Sequence, residues 1–239
     1  MLQQIILRKA SLGKSKFMLA YNSYIVFQKD VQLEFRTRFA INAIILFAIT
    51  TLAAISFSIG PAKLESTILS ALLWIILFFS AMSGLSHIFV REEEQQTADT
   101  LRLVTSPLSV FLGKWLFNVA LLFALEVIIV PLYFILMNTT TGNLQLFLVI
   151  LISGSIGLST VSTIIAAIIS QASARGALFA VLSFPISLPI IISSTHGTRI
   201  ALDGNSFSDG ISDLKILISF FIVIITVSIL TFEFIWKNN

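Results

Sequence analysis

The sequence predicts an all-α integral membrane protein, on three observations. Of its 239 residues, 56% are hydrophobic and 11% are charged, with a mean hydropathy of +0.98. That balance is more apolar than one soluble core requires. Six stretches are long enough to cross a hydrocarbon core, which takes about 20 apolar residues. Lys and Arg are distributed unevenly among the connections between these stretches.

Residues 1–38 precede the first stretch and form a cytoplasmic N-terminal segment. Within it Phe17, Tyr21, Tyr24, Val31 and Phe35 recur at spacings of three and four, interrupted at Gln28, while Lys29, Glu34 and Arg36 point elsewhere. The pattern suits an amphipathic helix lying in the membrane interface, for which a plain anchoring role is the simplest reading. Residues 39–239 hold the six spans, roughly Phe39 to Ile59, Ser66 to Val90, Val110 to Met137, Leu144 to Ile169, Ala177 to Thr195 and Leu214 to Ile235. Unpaired strands cannot cross lipid, so all six are read as helices. No internal repeat is visible, and the connections are too short for a separate soluble domain. No signal peptide is evident, because the basic stretch Arg8 to Lys16 is not followed at once by an apolar run and a cleavage site.

Twelve basic residues fall on one side: Arg8, Lys9, Lys14, Lys16, Lys29, Arg36, Arg38, Arg91, Arg102, Lys114, Arg175 and Lys237. Three fall on the other, Lys63, Arg199 and Lys215, where the loop from His196 to Asp213 is acidic. The positive-inside rule therefore predicts a multi-pass protein with both termini in the cytoplasm.

The longest internal connection on the basic side runs from about 91 to 109 and is the most charged. Its middle can form a short helix capped near Thr97, with Leu101, Val104 and Leu108 on one side and Pro107 ending it. Such a helix could dock on a cytoplasmic partner. A solvated charged face is the simpler reading of the charge run alone. Within the third span, Glu126 is the one ionisable side chain near the middle of any span, and an intramembrane carboxylate is a functional candidate by default. A structural hydrogen bond to a neighbouring Ser or Thr explains it equally well. Ser155, Ser159, Thr163 and Ala167 form a small-residue stripe that admits a close helix neighbour. Pro131, Pro185 and Pro189 are expected to kink the third and fifth spans.

Several chemistries are excluded or unsupported. With no Cys there is no disulfide, thiolate metal site or CxxC motif. The net charge of +3 is too small to suggest a nucleic-acid binder. Gly113-Lys114-Trp115 lacks the other elements of a phosphate loop, so nucleotide must be handled by another chain. His87 and His196 stand alone near opposite membrane faces, with no HExxH pattern and no paired metal ligands; either could ligate a haem iron, though a lone His is more often satisfied by packing. Trp74, Trp115 and Trp236 lie near span ends, where interface anchoring accounts for them. No catalytic set accompanies Glu126.

Three segments together resemble the CcmB family of cytochrome c maturation proteins, also called haem exporter protein B, within the ABC-2 type permeases. The first is Lys29-Asp30 followed by Glu34-Phe35-Arg36 and Arg38. The second is Arg91-Glu92-Glu93-Glu94 through Leu101, Pro107 and Gly113-Lys114, which on its own is similar to ABC-2 permeases in general. The third is Ala174-Arg175-Gly176 with Phe184-Pro185-Ile186-Ser187-Leu188-Pro189. Gln95-Gln96 stands where ABC-2 members often carry a glycine, and the stretch before Lys29 is longer than expected. The resemblance implies an ABC-2 permease architecture in a bacterial inner membrane. It implies two copies of this chain working with a CcmA-like ATPase that hydrolyses the ATP, beside CcmC-like and CcmD-like subunits and a CcmE-like haem chaperone. Haem would be the substrate, and no cofactor or metal would reside in the chain. The loop at 91–109 would be a coupling loop, with Glu92, Glu93 and Glu94 holding the ATPase by charge and Leu101 and Pro107 shaping it. Two alternatives stand: an ABC-2 exporter of a drug, lipid or polysaccharide, and a non-translocating subunit that transmits ATPase motion to release the haem chaperone.

Overall fold

A computed structural model of the chain describes residues 2–60, 63–94, 97–170 and 175–237, without the side chains of 2–17, 175–177, 180 and 237. Gln95-Gln96, Ala174 and the side chains of Arg8, Lys9, Lys14, Lys16, Phe17, Arg175, Ala177 and Lys237 therefore lie outside the described residues. Among those described, the protein is all helix: α1 (Leu2–Thr37), α2 (Phe39–Ile59), α3 (Ser66–Leu85), α4 (His87–Glu94), α5 (Ala98–Val104), α6 (Pro107–Leu136), α7 (Leu144–Ile169), α8 (Arg175–Leu202), a 3-10 turn (Phe207–Gly210) and α9 (Ile211–Lys237). Five helical stretches among the described residues are long and apolar enough to cross a membrane: α2, α3 with α4, α6, α7, and the 3-10 turn with α9. Two further long helices, α1 and α8, are not among these five; α8 packs in the same bundle against α7, α3 and α9.

The centre of the bundle is α7, because its side chains are small enough to be surrounded. Ser155, Ser159, Thr163 and Ala167, the expected small-residue stripe, are all buried. At Gly154 a Cβ would come within 2.3 Å of the Trp74 ring, and at Gly157 within 3.0 Å of Ile190, so α3 and α8 sit against bare backbone. Polar bonds tie α6 to α7. Asn118 Nδ2 donates to Thr163 Oγ1 at 2.8 Å, and Trp115 Nε1 donates to Thr160 Oγ1 at 2.9 Å. Each such bond within a bilayer contributes roughly 0.6–2 kcal/mol. The peripheral helices α2 and α9 keep most of their apolar side chains outward, which suits contact with lipid.

Pro107 starts a helix instead of ending one. Helix α5 stops at Val104 because Thr105 turns extended, and the proline holds the preceding Ser106 extended too. Ser106 then caps α6, accepting from the Ser109 N–H at 3.4 Å, with Pro107 at the first helical position where its missing N–H costs nothing. Lys114, placed by the sequence near the cytoplasmic end of the third span, consequently lies two turns inside α6. The fifth span is likewise longer than expected, and His196 and Arg199 are helical residues of α8. Both α6 and α8 run unbroken through Pro131, Pro185 and Pro189, each of which deprives the carbonyl four residues earlier of its donor.

Candidate functional site

The apolar pattern read in α1 is split: Tyr21, Tyr24 and Phe35 are exposed, while Val31 packs against the core. The face that packs inward is Ser23, Val26, Asp30 and Glu34, at spacings of three and four. It can approach α6 closely because residue 113 is Gly. A Cβ there would stand 2.6 Å from Val26 Cβ and 2.7 Å from the Ser23 carbonyl oxygen.

That approach brings Asp30 to the next residue of α6. The Lys114 ammonium is fully buried, 3.3 Å from Asp30 Oδ2 and 3.0 Å from Glu92 Oε1, and it donates to the Ile88 carbonyl at 2.9 Å. Its fourth neighbour is the Phe89 ring, 5.1 Å away. Lys29 donates to Glu92 and lies 3.4 Å from Asp30. Burial opposes the Lys29 charge, but the carboxylates of Asp30 and Glu92 outweigh it and raise its pKa above the ordinary lysine value. Thr97 completes the set: it does not cap α5 but reaches back, its hydroxyl donating to Glu92 Oε2 at 2.6 Å.

A second pair extends the cluster toward α2. Glu34 points away from the exposed apolar stripe, as the sequence pattern suggested, and is buried against the bundle. One carboxylate oxygen accepts from the Ile41 N–H at 2.9 Å, satisfying an orphan donor in the first turn of α2, and the other pairs with Arg91 at 3.3 Å. Between α1 and α2 the chain turns through Arg38 in the left-handed region, at φ 54°.

These bonds decide what the loop after α4 can do. Glu92, expected to present charge to a partner, is instead an internal strut joining α4 to α1, α5 and α6. Glu93 pairs with Arg102 at 3.2 Å, while Arg102 also bonds Asp99 at 2.7 Å and stacks 4.9 Å from the Trp236 ring of α9. Beneath them Phe89, Phe111, Phe232 and Trp236 form one aromatic cluster across α4, α6 and α9. Leu101 packs inward against the core, so it and Val104 do not share a face as expected. What α5 turns outward is Leu103, 88% exposed, and Val104, 77% exposed. Beside them an open groove runs between α1 and α9, lined by Leu19, Pro107, Leu108 and Ile229. The site is thus a small apolar knob on a short helix whose Arg102 pairs with α4 and stacks on α9, while α4 is itself joined by charge to α1 and α6.

The other singled-out residues lie elsewhere. Glu126 is buried in α6, where Ser155 of α7 donates to its carboxylate. His87 packs edge-on to Phe39 with ring centroids 5.0 Å apart. His196 is not alone: its ring is bonded to Asp213 of α9. Sequence reasoning did not find the pairing of Lys29, Asp30, Glu34, Arg91 and Lys114. The available signal was a lysine inside an apolar stretch, which requires a buried counter-charge.

A wholly helical, multi-pass membrane bundle with a clamped loop at one end is a membrane-protein architecture, not that of a soluble catalyst. The chain belongs to the CcmB family, whose model, described as CcmB protein, matches residues 21–235. It is similar to Heme exporter protein B of Pseudomonas aeruginosa, 23% identical over 193 residues that span 78% of this chain and 81% of that protein. It is also similar to Heme exporter protein B of Bradyrhizobium diazoefficiens, 24% identical over 182 residues, 74% of this chain and 81% of the relative.

Proposed function

We propose that this chain is the membrane-spanning permease subunit of an ATP-driven complex that handles haem for cytochrome c maturation, and that α5 is its contact with a separate cytoplasmic ATPase. The observation that carries the reading is the contrast at the loop. Leu103 and Val104 are left bare while Lys114, Glu92, Glu34 and Arg102 fix the surrounding backbone to α1, α2, α6 and α9. A knob on a floppy loop would dissipate a push, whereas one on a clamped helix passes it to the spans as a rigid-body shift. The excess of basic residues at this end supports a cytoplasmic orientation for it and for both termini, in a bacterial inner membrane.

The haem assignment follows the names of the two relatives. It brings with it a CcmA-like ATPase, CcmC-like and CcmD-like membrane subunits, a CcmE-like chaperone and a second copy of this chain. ATP is hydrolysed on the partner, and the role of this subunit is mechanical. Affinity purification of the tagged chain in mild detergent, followed by mass spectrometry, tests the reading. Recovery of a Walker-motif ATPase with CcmC-like or CcmE-like proteins is the expected result. An ATPase without them points to an exporter of another substrate, and no ATPase contradicts the transporter reading.

A further inference from the structure

At the end of the bundle opposite α5, helix α8 turns an unpartnered stripe outward. Leu188, Ile192, His196 and Arg199 follow one another at spacings of four, four and three, which places them on one helical face. Leu188 and Ile192 are exposed, and the His196 side chain is 48% exposed. Apolar side chains facing outward are ordinary in a membrane protein, but what crowns this stripe is not.

His196 is held from behind. Its Nδ1–H donates to Asp213 Oδ2 at 2.8 Å, and Asp213 is buried between α8 and α9. A carboxylate acceptor on Nδ1 fixes the proton there and leaves the Nε2 lone pair free, the arrangement in which an imidazole ligates a metal. The pair cannot drift apart easily, since Gly197 lets α8 pack so closely that a Cβ there would meet Ile150 at 2.5 Å and Asp213 Cβ at 3.4 Å. One turn further on, Arg199 has no acidic partner among the described residues. A lipid would use the apolar stripe and the guanidinium but would gain nothing from an oriented imidazole. An iron porphyrin uses all three, through its apolar macrocycle, its axial iron position and its carboxylates.

We propose that this face of α8 is a haem-binding site, with His196 ligating the iron, Asp213 orienting the imidazole, Arg199 pairing with a propionate, and Leu188 and Ile192 lying under the macrocycle. The proposal rests on the haem-handling reading and adds where on this chain the substrate is held.

The test is a haemin titration of the full-length chain in nanodiscs, read by the Soret band, with parent, His196→Gln, Asp213→Asn and Arg199→Gln variants. Glutamine at 196 keeps a donor for Asp213, and an unchanged unfolding temperature confirms that the fold survives. The parent is expected to give an imidazole-ligated spectrum that His196→Gln loses. Asp213→Asn should weaken binding about 10–100-fold. Arg199→Gln should weaken binding of haemin but not of its dimethyl ester. No imidazole-type spectrum in the parent, or the same spectrum and affinity in His196→Gln, would overturn the site. A deletion strain separates this from the wider reading: lost holo-cytochrome c sustains haem handling whatever the titration gives, and unchanged holo-cytochrome c sinks the haem-handling reading itself.

Discussion

Lys114 Nζ lies 3.0 Å from Glu92 Oε1, joining the second turn of α6 to the end of α4 by a charge pair from which solvent is excluded. The Gly113-Lys114 dipeptide and the acidic run beginning at Glu92 are thus two halves of one device. The glycine admits α1, the lysine takes Asp30 and Glu92 together, and the loop beyond Glu92 is held to the spans.

Removing Lys114 leaves the buried carboxylates of Asp30 and Glu92 with only the partly exposed Lys29 as counter-charge. Lys114→Met should destabilise the chain by about 3–5 kcal/mol, and adding Asp30→Asn to it should restore part of the loss. Thermal unfolding of the purified variants in detergent measures both. A Lys114→Met variant as stable as the parent would show that the cluster contributes no net stability.

Gly113→Leu cannot be accommodated without moving α1, because the obstacle includes the Ser23 carbonyl and not only a flexible side chain end. In a chain with no cysteine, a cysteine introduced at Ser23 reports this directly. It should be protected from a polar maleimide in the parent background and labelled rapidly in Gly113→Leu.

The left-handed Arg38 makes an opposite kind of prediction. An L-residue there costs roughly 1–2 kcal/mol, and the cost rises for a branched side chain. Arg38→Val should lower the unfolding temperature, while Arg38→Gly should be tolerated or slightly stabilising, its relief of strain partly offset by a more flexible unfolded chain. Equal effects of the two substitutions would argue against the turn.

Glu126 distinguishes a bonding role from a charge role. Glu126→Gln retains an acceptor for the Ser155 hydroxyl and should leave stability near that of the parent. Glu126→Ala strands that hydroxyl and opens a cavity, at a cost of about 2–4 kcal/mol. If Glu126→Gln abolished holo-cytochrome c formation without loss of stability, the carboxyl itself would be needed in transport.

The long helices were legible in the sequence because lipid imposes a simple requirement, a run of about 20 apolar residues, that a reader can count. The stripe on α7 was legible for a related reason, since small residues four apart have few other uses in a span. The clamp was not, because charge is ordinarily a sign of exposure. Asp30 and Glu34 fall on the same helical face as Val26, yet the apolar residues 21, 24 and 35 dominate the pattern and draw attention to the wrong side of α1. Nothing local in the sequence says that Lys114, 84 positions from Asp30, is the counter-charge. The boundary at Pro107 failed for a different reason: proline ends helices and begins them, and only the extended Ser106 decides between the two. His196 and Asp213 bounded a stretch read as an acidic loop, whereas His196 and Gly197 are helical and Gly197 serves close packing of α8 against its neighbours.

The central claim, that α5 is where an ATPase engages this subunit, is tested most directly by site-specific cross-linking. Single cysteines at positions 103, 104, 63 and 205 would be introduced into the cysteine-free chain, and a short cross-linker applied to the co-purified complex. The account predicts that 103 and 104 capture the ATPase and that 63 and 205, at the other end of the bundle, do not. Capture from 63 or 205, or a complex in which neither 103 nor 104 reacts, would contradict it.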